Sequence, residues 1–180
     1  MSTKVSVFIA TSLDGFIARK NGDIDWLNDA NATVPEGEDC GYQAFMASVD
    51  VLIMGRKTYE QVLSFGAWPY GQTQVIVLSQ NPIKFPDHLP TCITHSAETP
   101  PMLYNRLAKE GAQHLYIDGG VTIQRFLAAG LIDELTITVI SILLGEGISL
   151  FGPLSKDLQL THLSSHTYDF GFVQLKYAIP

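Results

Sequence analysis

Short apolar runs alternate with amphipathic stretches along this chain, the pattern of an α/β fold. Lys4–Ala10 reads as a core strand, and Val51–Met54, Gln74–Leu78, Cys92–His95, His114–Ile117 and Leu135–Ile142 read as further strands. Helical spacing intervenes between them. Tyr42, Phe45, Met46 and Val49 stand at i, i+3, i+4 and i+7, which predicts a helix from about Asp39. Thr58–Ser64 predicts a second helix that buries Tyr59, Val62 and Leu63. Thr99 before Pro100 and Pro101 is a helix start, with Gly111 as its stop. A last helix carries Ile123, Phe126 and Leu127 and closes at Gly130. The polar stretch Thr11–Glu38 reads as one long loop. Leu158–Thr167 and Phe172–Tyr177 read as a hairpin around Asp169-Phe170-Gly171, a turn rather than a kinase motif because no glycine-rich or catalytic loop accompanies it.

Composition narrows the picture. The 180 residues fit one domain, residues 1–180, and the 46% apolar content with 16% charged residues is that of a globular chain. A net charge of −7 argues against nucleic acid or an anionic membrane as partner. No apolar run is long enough to span a bilayer, and the first residues lead directly into a strand without a signal peptide. Cys40 and Cys92 show no metal-like spacing, and the histidines are scattered, so no metal site is expected and the thiols read as free in a reducing cytoplasm.

Against that acidic background one cationic segment stands out. In Val51-Leu52-Ile53-Met54-Gly55-Arg56-Lys57-Thr58-Tyr59-Glu60 a buried strand ends at a glycine, and two cations and a hydroxyl open an amphipathic helix. A helix N-terminus exposes unpaired N–H groups and carries about half a positive charge, so a phosphate is the expected ligand and a nucleotide the first guess. Arg56 offers a planar fork and Lys57 a point charge. Asp118-Gly119-Gly120-Val121-Thr122 repeats the strand-to-helix design, and paired glycines admit a ligand that a Cβ would block. An ordinary tight turn is the alternative, and the spacing is not that of the GxGxxG dinucleotide fingerprint. Two such junctions favour one ligand spanning both. Ser12-Leu13-Asp14-Gly15-Phe16-Ile17-Ala18 is a turn by itself. Asp39 extends the apolar stripe of its helix, and reads either as a helix cap or as a partly buried acid that holds a substrate ring and manages a proton.

Taken together these residues resemble the dihydrofolate reductase superfamily, including the reductase domain of riboflavin biosynthesis and its small stand-alone relatives. Ala10, the Gly15–Ala18 loop, Gly22, Trp26, Met54–Glu60, Val77-Leu78-Ser79 and Gly119-Gly120 come in the family's order over nearly the whole chain, and Asp39 stands sixteen residues before Gly55, as the acidic residue does in bacterial dihydrofolate reductases. The resemblance implies a mixed, mainly parallel central sheet flanked by helices, an antiparallel C-terminal hairpin, hydride chemistry, and NADPH as cofactor. Arg56 would meet the 2′-phosphate; Lys57 and Thr58, beside Gly55, would hold the pyrophosphate. Leu78 and Ser79 would border the adenosine with Gln80 close by. Gly119 and Gly120 would pass under the cofactor through a cis peptide, and Val121, Thr122 and Ile123 would contact the diphosphate bridge. Ala10 and Ile17 would bracket the nicotinamide. Asp39 and Asp118 are the candidates for catalysis and substrate binding, with Asp14, Trp26 and Gln43 beside them. The Leu143–Gly147 segment resembles one near a subunit contact, which implies a homodimer.

The chain also departs from both parents. Asp118 precedes the paired glycines where folate enzymes have an apolar residue, which leans toward a pyrimidine-like substrate. Phe16 stands where the riboflavin reductases place a base for a substrate phosphate, and Cys40–Asp50 contains no Lys or Arg. No deaminase zinc motif occurs, and Gln43 replaces the aromatic residue set against a pterin. The expectation is a cytoplasmic NADPH-dependent reductase of a small heterocycle, of the 5-amino-6-(5-phosphoribosylamino)uracil reductase type, with dihydrofolate reduction as runner-up. Two rivals remain: a non-catalytic NADPH-binding module whose substrate side is closed by Phe16 and Tyr42, and a binder of some other phosphate ligand.

Overall fold

A computed structural model describes residues 2–180. Its first strand, β1 (Lys4–Ser12), leads into a short β2 (Phe16–Ala18), then α1 (Asp25–Asn31) and α2 (Tyr42–Met46). A β/α alternation follows: β3 (Val51–Gly55), α3 (Arg56–Leu63), β4 (Gln74–Leu78), β5 (Ile93–Ser96), α4 (Pro100–Lys109), β6 (His114–Asp118), α5 (Gly120–Ala128) and β7 (Glu134–Ile140). The chain ends with β8 (Ile148–Ser149), β9 (Thr161–Thr167) and β10 (Val173–Ala178). The main sheet has eight strands in the order β5-β4-β3-β6-β1-β7-β10-β9; β2 and β8 form a separate pair. Every pairing from β5 to β7 is parallel, and β10 returns antiparallel to both β7 and β9. The expected α/β class, mainly parallel sheet and antiparallel C-terminal hairpin are thus observed.

Alternation along the strands explains the layers. Val51 and Ile53 face one side, where Leu103 and Leu107 of α4 and Ile123 and Phe126 of α5 cover them. Leu52 and Met54 face the other, against Tyr59 of α3 and Tyr42 and Phe45 of α2. Both faces of the central strands are buried, which is why they read as unbroken apolar runs.

Three details differ from the sequence expectation. Thr11–Glu38 is not one loop, because β1 runs on through Ser12 and β2 and α1 lie within it; α1 is anchored by Trp26, buried against Ile140 and Phe172. The helix predicted from about Asp39 begins only at Tyr42, because Cys40 (φ 54°) and Gly41 (φ 83°) turn left-handed. Asp39 therefore lies outside the helix and cannot extend its apolar stripe. Conversely α3 starts two residues before Thr58, since Gly55 is extended (φ −78°, ψ 163°) and hands directly into helix, which puts Arg56 and Lys57 in the first turn.

The connections set the position of a crevice. From β3 the chain moves through α3 outward to β4, while from the adjacent β6 it moves through α5 in the opposite direction, past β1, to β7. Connections that diverge from neighbouring parallel strands leave a gap at their carboxyl ends, where open α/β sheets bind ligands. Here that gap lies between Gly55 and Gly119. The helix starts on either side interlock: a Cβ on Gly55 would come within 2.9 Å of Thr122 Oγ1, and one on Gly119 would collide with Thr58 Oγ1. The Gly119–Gly120 peptide is not cis, as no cis peptide occurs among the described residues; Gly119 makes the turn with φ 91° and ψ 137° instead.

Gly119→Ala should therefore cost about 2–4 kcal/mol, combining left-handed strain with overpacking. Gly130→Ala, at φ 66° with nothing within 4 Å, should cost only about 1 kcal/mol. Removing the hydroxyl in Thr58→Ala leaves a tolerable 3.4 Å contact to the Thr58 Cβ position, so the Gly119→Ala/Thr58→Ala pair should regain about 1 kcal/mol in a urea double-mutant cycle. Simple additivity of the two losses would contradict the interlock.

Candidate active site

The first half of the site lies along the ends of β3, β4 and β6. Arg56 and Lys57 are exposed in the first turn of α3, and Arg56 Nε donates to Glu60 Oε1 at 2.8 Å. Leu78 pairs with Gly55 across the β3–β4 ladder, and Ser79 continues that edge, its N–H donating to the Ser96 carbonyl at 3.0 Å. Ser79 Oγ accepts from the Asn81 N–H at 3.2 Å, and Gln80 is exposed. On α5, Val121 is 57% exposed, whereas Thr122 turns into the Gly55 contact and Ile123 is fully buried with its N–H on the Gly119 carbonyl at 2.8 Å. Of the three residues expected to meet a diphosphate, only Val121 has its side chain at the surface. Gly120 is hemmed in by Ile17, whose Cδ1 would lie 2.8 Å from an added Cβ.

The second half is a cavity of about 510 Å³ beyond the ends of β1 and β7. Phe8, Ile9 and Ala10 of β1 and Thr138 and Ile140 of β7 form its floor. Leu27 and Asn31 of α1, Tyr42 of α2 and Phe172 before β10 form walls, and Val34, Pro35, Glu38, Asp39 and Cys40 form its rim. Asp39 is on this wall, but both its oxygens are engaged: Oδ1 accepts the Gly41 N–H at 2.9 Å and Oδ2 the Gln43 N–H at 2.8 Å. It thus ties down the entry to α2, and Gln43 is exposed, outside the cavity lining.

Asp118 ends β6 in a partly buried position, and its Oδ1 accepts the Gly119 N–H at 2.9 Å. Burial raises its pKa to about 6, with that N–H pulling the other way. Three phenols feel its charge. Burial and then the Asp118 charge push Tyr42 up to about 12, and the same two causes raise Tyr70 and Tyr116. Tyr116 donates its hydroxyl to the Phe8 carbonyl at 2.9 Å. Tyr42 is the residue common to the cavity wall and to the surroundings of Asp118.

The remaining candidates lie elsewhere. Asp14 is exposed and its carboxylate accepts from Ser12 Oγ (2.6 Å), the Leu144 N–H (3.2 Å) and the Gly145 N–H (2.7 Å), bonds that hold its pKa below the usual range. It pins the Leu143–Gly147 segment to the end of β1 rather than facing the cavity. Trp26 is 2% exposed and packs behind the wall, with its ring N–H lacking a protein partner. Sequence reasoning missed Thr138, Ile140, Phe172, Leu27 and Asn31, because strand alternation and a hairpin turn give no sign of which residues will face a common space. Tyr70 was hidden in the α3–β4 connection.

Comparisons with known proteins agree with this geometry. The family model described as the RibD C-terminal domain matches residues 3–174. The Bacillus subtilis (strain 168) uncharacterised protein YwjB is 38% identical over 181 residues, covering 98% of each chain. A solved structure from Shewanella sp. PV-4, provisionally designated a riboflavin biosynthesis protein, is 41% identical with a TM-score of 0.91 over 98% of this chain and 99% of that one. The Thermotoga maritima diaminohydroxyphosphoribosylaminopyrimidine deaminase/5-amino-6-(5-phosphoribosylamino)uracil reductase shares the fold alone, at 13% identity and a TM-score of 0.70, with 99% of this chain aligned to 57% of that one. With a strand-end crevice, paired glycines, and a family model spanning nearly its whole length, the chain belongs to the RibD C-terminal domain family.

Proposed function

We propose that this protein is a RibD-type reductase that uses NADPH to deliver a hydride to a C=N or C=O bond of a small planar heterocycle, the reaction class of ribosylaminopyrimidine reduction. One observation carries the reading. Two helix N-termini converge on a glycine-lined crevice beside an aromatic-walled cavity, so a dinucleotide laid across the first places one end at the mouth of the second. The residues fit the coenzyme, because Arg56 and Lys57 stand exposed in the first turn of α3, and the bare glycines let the two helix starts close up on Thr122, Thr58 and Ile17. NADPH, once bound, supplies the hydride from its nicotinamide ring.

The chain's own residues do the rest. Arg56 binds the 2′-phosphate with a guanidinium already oriented by Glu60, and Lys57 with the first-turn amides of α3 binds the pyrophosphate. Thr58 and Val121 flank that bridge, while Thr122 and Ile123 hold the helix start in place. Leu78, Ser79 and Gln80 border the adenosine, and Ala10 and Ile17 flank the nicotinamide. Asp118 handles the proton that accompanies the hydride, since burial holds its carboxyl near a pKa of about 6. Asp39 shapes the wall through its bonds to α2. The cavity speaks against a non-catalytic coenzyme module, for Tyr42 lines it rather than filling it and Phe16 is not in its lining.

We assign the work to the cytoplasm and the assembly to a homodimer. Among the described residues no helix is long and apolar enough to cross a membrane. Leu143 is 68% exposed, and β9 offers an exposed edge of seven residues without Lys, Arg, Asp, Glu or Pro. Such an edge pairs with another strand unless it is guarded. Sedimentation should give twice the mass of the chain, and Leu163→Lys on β9 should shift it toward the monomer; a monomeric wild type would refute the dimer.

Arg56→Ala should weaken NADPH about ten- to a hundredfold, the loss of one charge-assisted phosphate contact, and leave NADH little changed in fluorescence titrations. Equal losses for both coenzymes would contradict the assignment. Asp118→Asn should lower turnover yet raise stability. The folded pKa of about 6 exceeds the ordinary 3.8, so the native state retains a proton that the unfolded state releases. Stability therefore falls as pH rises from about 4 to 6 and then levels off. The variant keeps an oxygen for the Gly119 N–H and should gain about 1–3 kcal/mol at pH 7, a gain that vanishes near pH 4 in urea melts.

A further inference from the structure

Resting on the reductase reading, we propose that the substrate is a planar heterocycle, neutral or cationic, that carries no phosphate or other anionic tail. The cavity wall is the reason. Among the described residues that line it there is no Lys, Arg or His, whereas Glu38 and Asp39 both stand on its rim. The chain that leads to the rim has the same sign: from Asn21 to Tyr42 there are six carboxylates, Asp23, Asp25, Asp29, Glu36, Glu38 and Asp39, and not one Lys, Arg or His. A phosphate dianion entering this cavity would meet like charge and no counter-charge, a juxtaposition that selects against a ligand.

The two cations that immediately precede that acidic stretch, Arg19 and Lys20, are paired. Arg19 clasps Asp25 through Nε (2.6 Å) and Nη2 (3.1 Å), and Lys20 Nζ sits 2.5 Å from Glu146 Oε2. Arg56 and Lys57 are at the start of α3, outside the lining, where the coenzyme phosphates belong. The site is thus divided by charge, with cations at the coenzyme end and carboxylates at the substrate end.

The lining also says what does fit. Phe8, Tyr42 and Phe172 present aromatic surface to a flat ring, and Phe8 and Tyr42 are themselves set edge to face with centroids 5.5 Å apart. The Asn31 amide, the Tyr42 and Thr138 hydroxyls and the rim carboxylates of Glu38 and Asp39, which also hold the Cys40, Gly41 and Gln43 N–H groups, can accept from ring N–H or amino donors. Folate is disfavoured for the same reason as a phosphoribosyl compound, because its glutamate tail is anionic.

Calorimetric titration of the NADPH-saturated protein with two matched pairs tests this: 5-amino-6-ribitylaminouracil against its 5′-phosphate, and 6-methylpterin against folate. The uncharged member of each pair should bind at least tenfold tighter. That gap should narrow in the Glu38→Gln/Asp39→Asn variant and at high salt, which screens exposed charges. Tighter or equal binding of either anionic member, or no binding of any uncharged member, overturns the proposal. A separate titration with NADPH alone keeps the two readings apart. If NADPH binds and the phosphate is preferred, only the substrate class is wrong; if NADPH does not bind, the reductase reading falls.

Discussion

Two glycines allow two helices on opposite faces of the sheet to begin almost in contact, and the arrangement of the site follows from that approach. Gly55 accepts the Thr122 hydroxyl where a Cβ would sit, and Gly119 accepts that of Thr58. Because α3 and α5 then leave adjacent strands in opposite directions, their N-terminal amides share one crevice instead of opening into separate ones. Opposing the macrodipole of each helix start to the other is electrostatically unfavourable unless an anion lies between them. The same contact thus brings both helix starts to one crevice.

Position in the fold divides the labour among the acidic residues. Asp14 and Asp39 both accept backbone N–H groups and hold loops in place: the first fixes the segment after β7, the second the entry to α2. Asp118 accepts a single amide, at the end of a buried strand and among phenols, and is the carboxyl pushed toward neutrality. Two aspartates that look alike as candidates therefore differ in kind. The difference is first the burial of Asp118, which a single backbone N–H only partly offsets.

Charge is separated as well. In a chain with a net charge of −7 the only charged residues that line the cavity are Glu38 and Asp39, among the described residues, while Arg56 and Lys57 stand at the start of α3. The cavity floor comes from β1 and β7, which are neighbours in the sheet but lie at opposite ends of the β/α alternation along the chain. Phe172 reaches it only because β10 turns back on β7. The cavity is accordingly a product of long-range pairing, whereas the crevice arises at two local strand-to-helix junctions.

That contrast separates what was legible in the linear chain from what was not. The apolar runs at Val51–Gly55 and His114–Asp118, each closed by glycine and a helix start, declare both the parallel strands and the two strand-to-helix junctions, because such junctions are built from residues adjacent in the chain. Left-handed turns at Cys40 and Gly41, the trans Gly119–Gly120 peptide, and the docking of α1 through Trp26 onto Ile140 and Phe172 depend on distant packing and could not be read locally. Nor could the company of Asp118 or the acidic lining of the cavity. Burial and hydrogen bonding at one carboxyl are set by what the folded chain brings beside it, and residue order alone carries no measure of that.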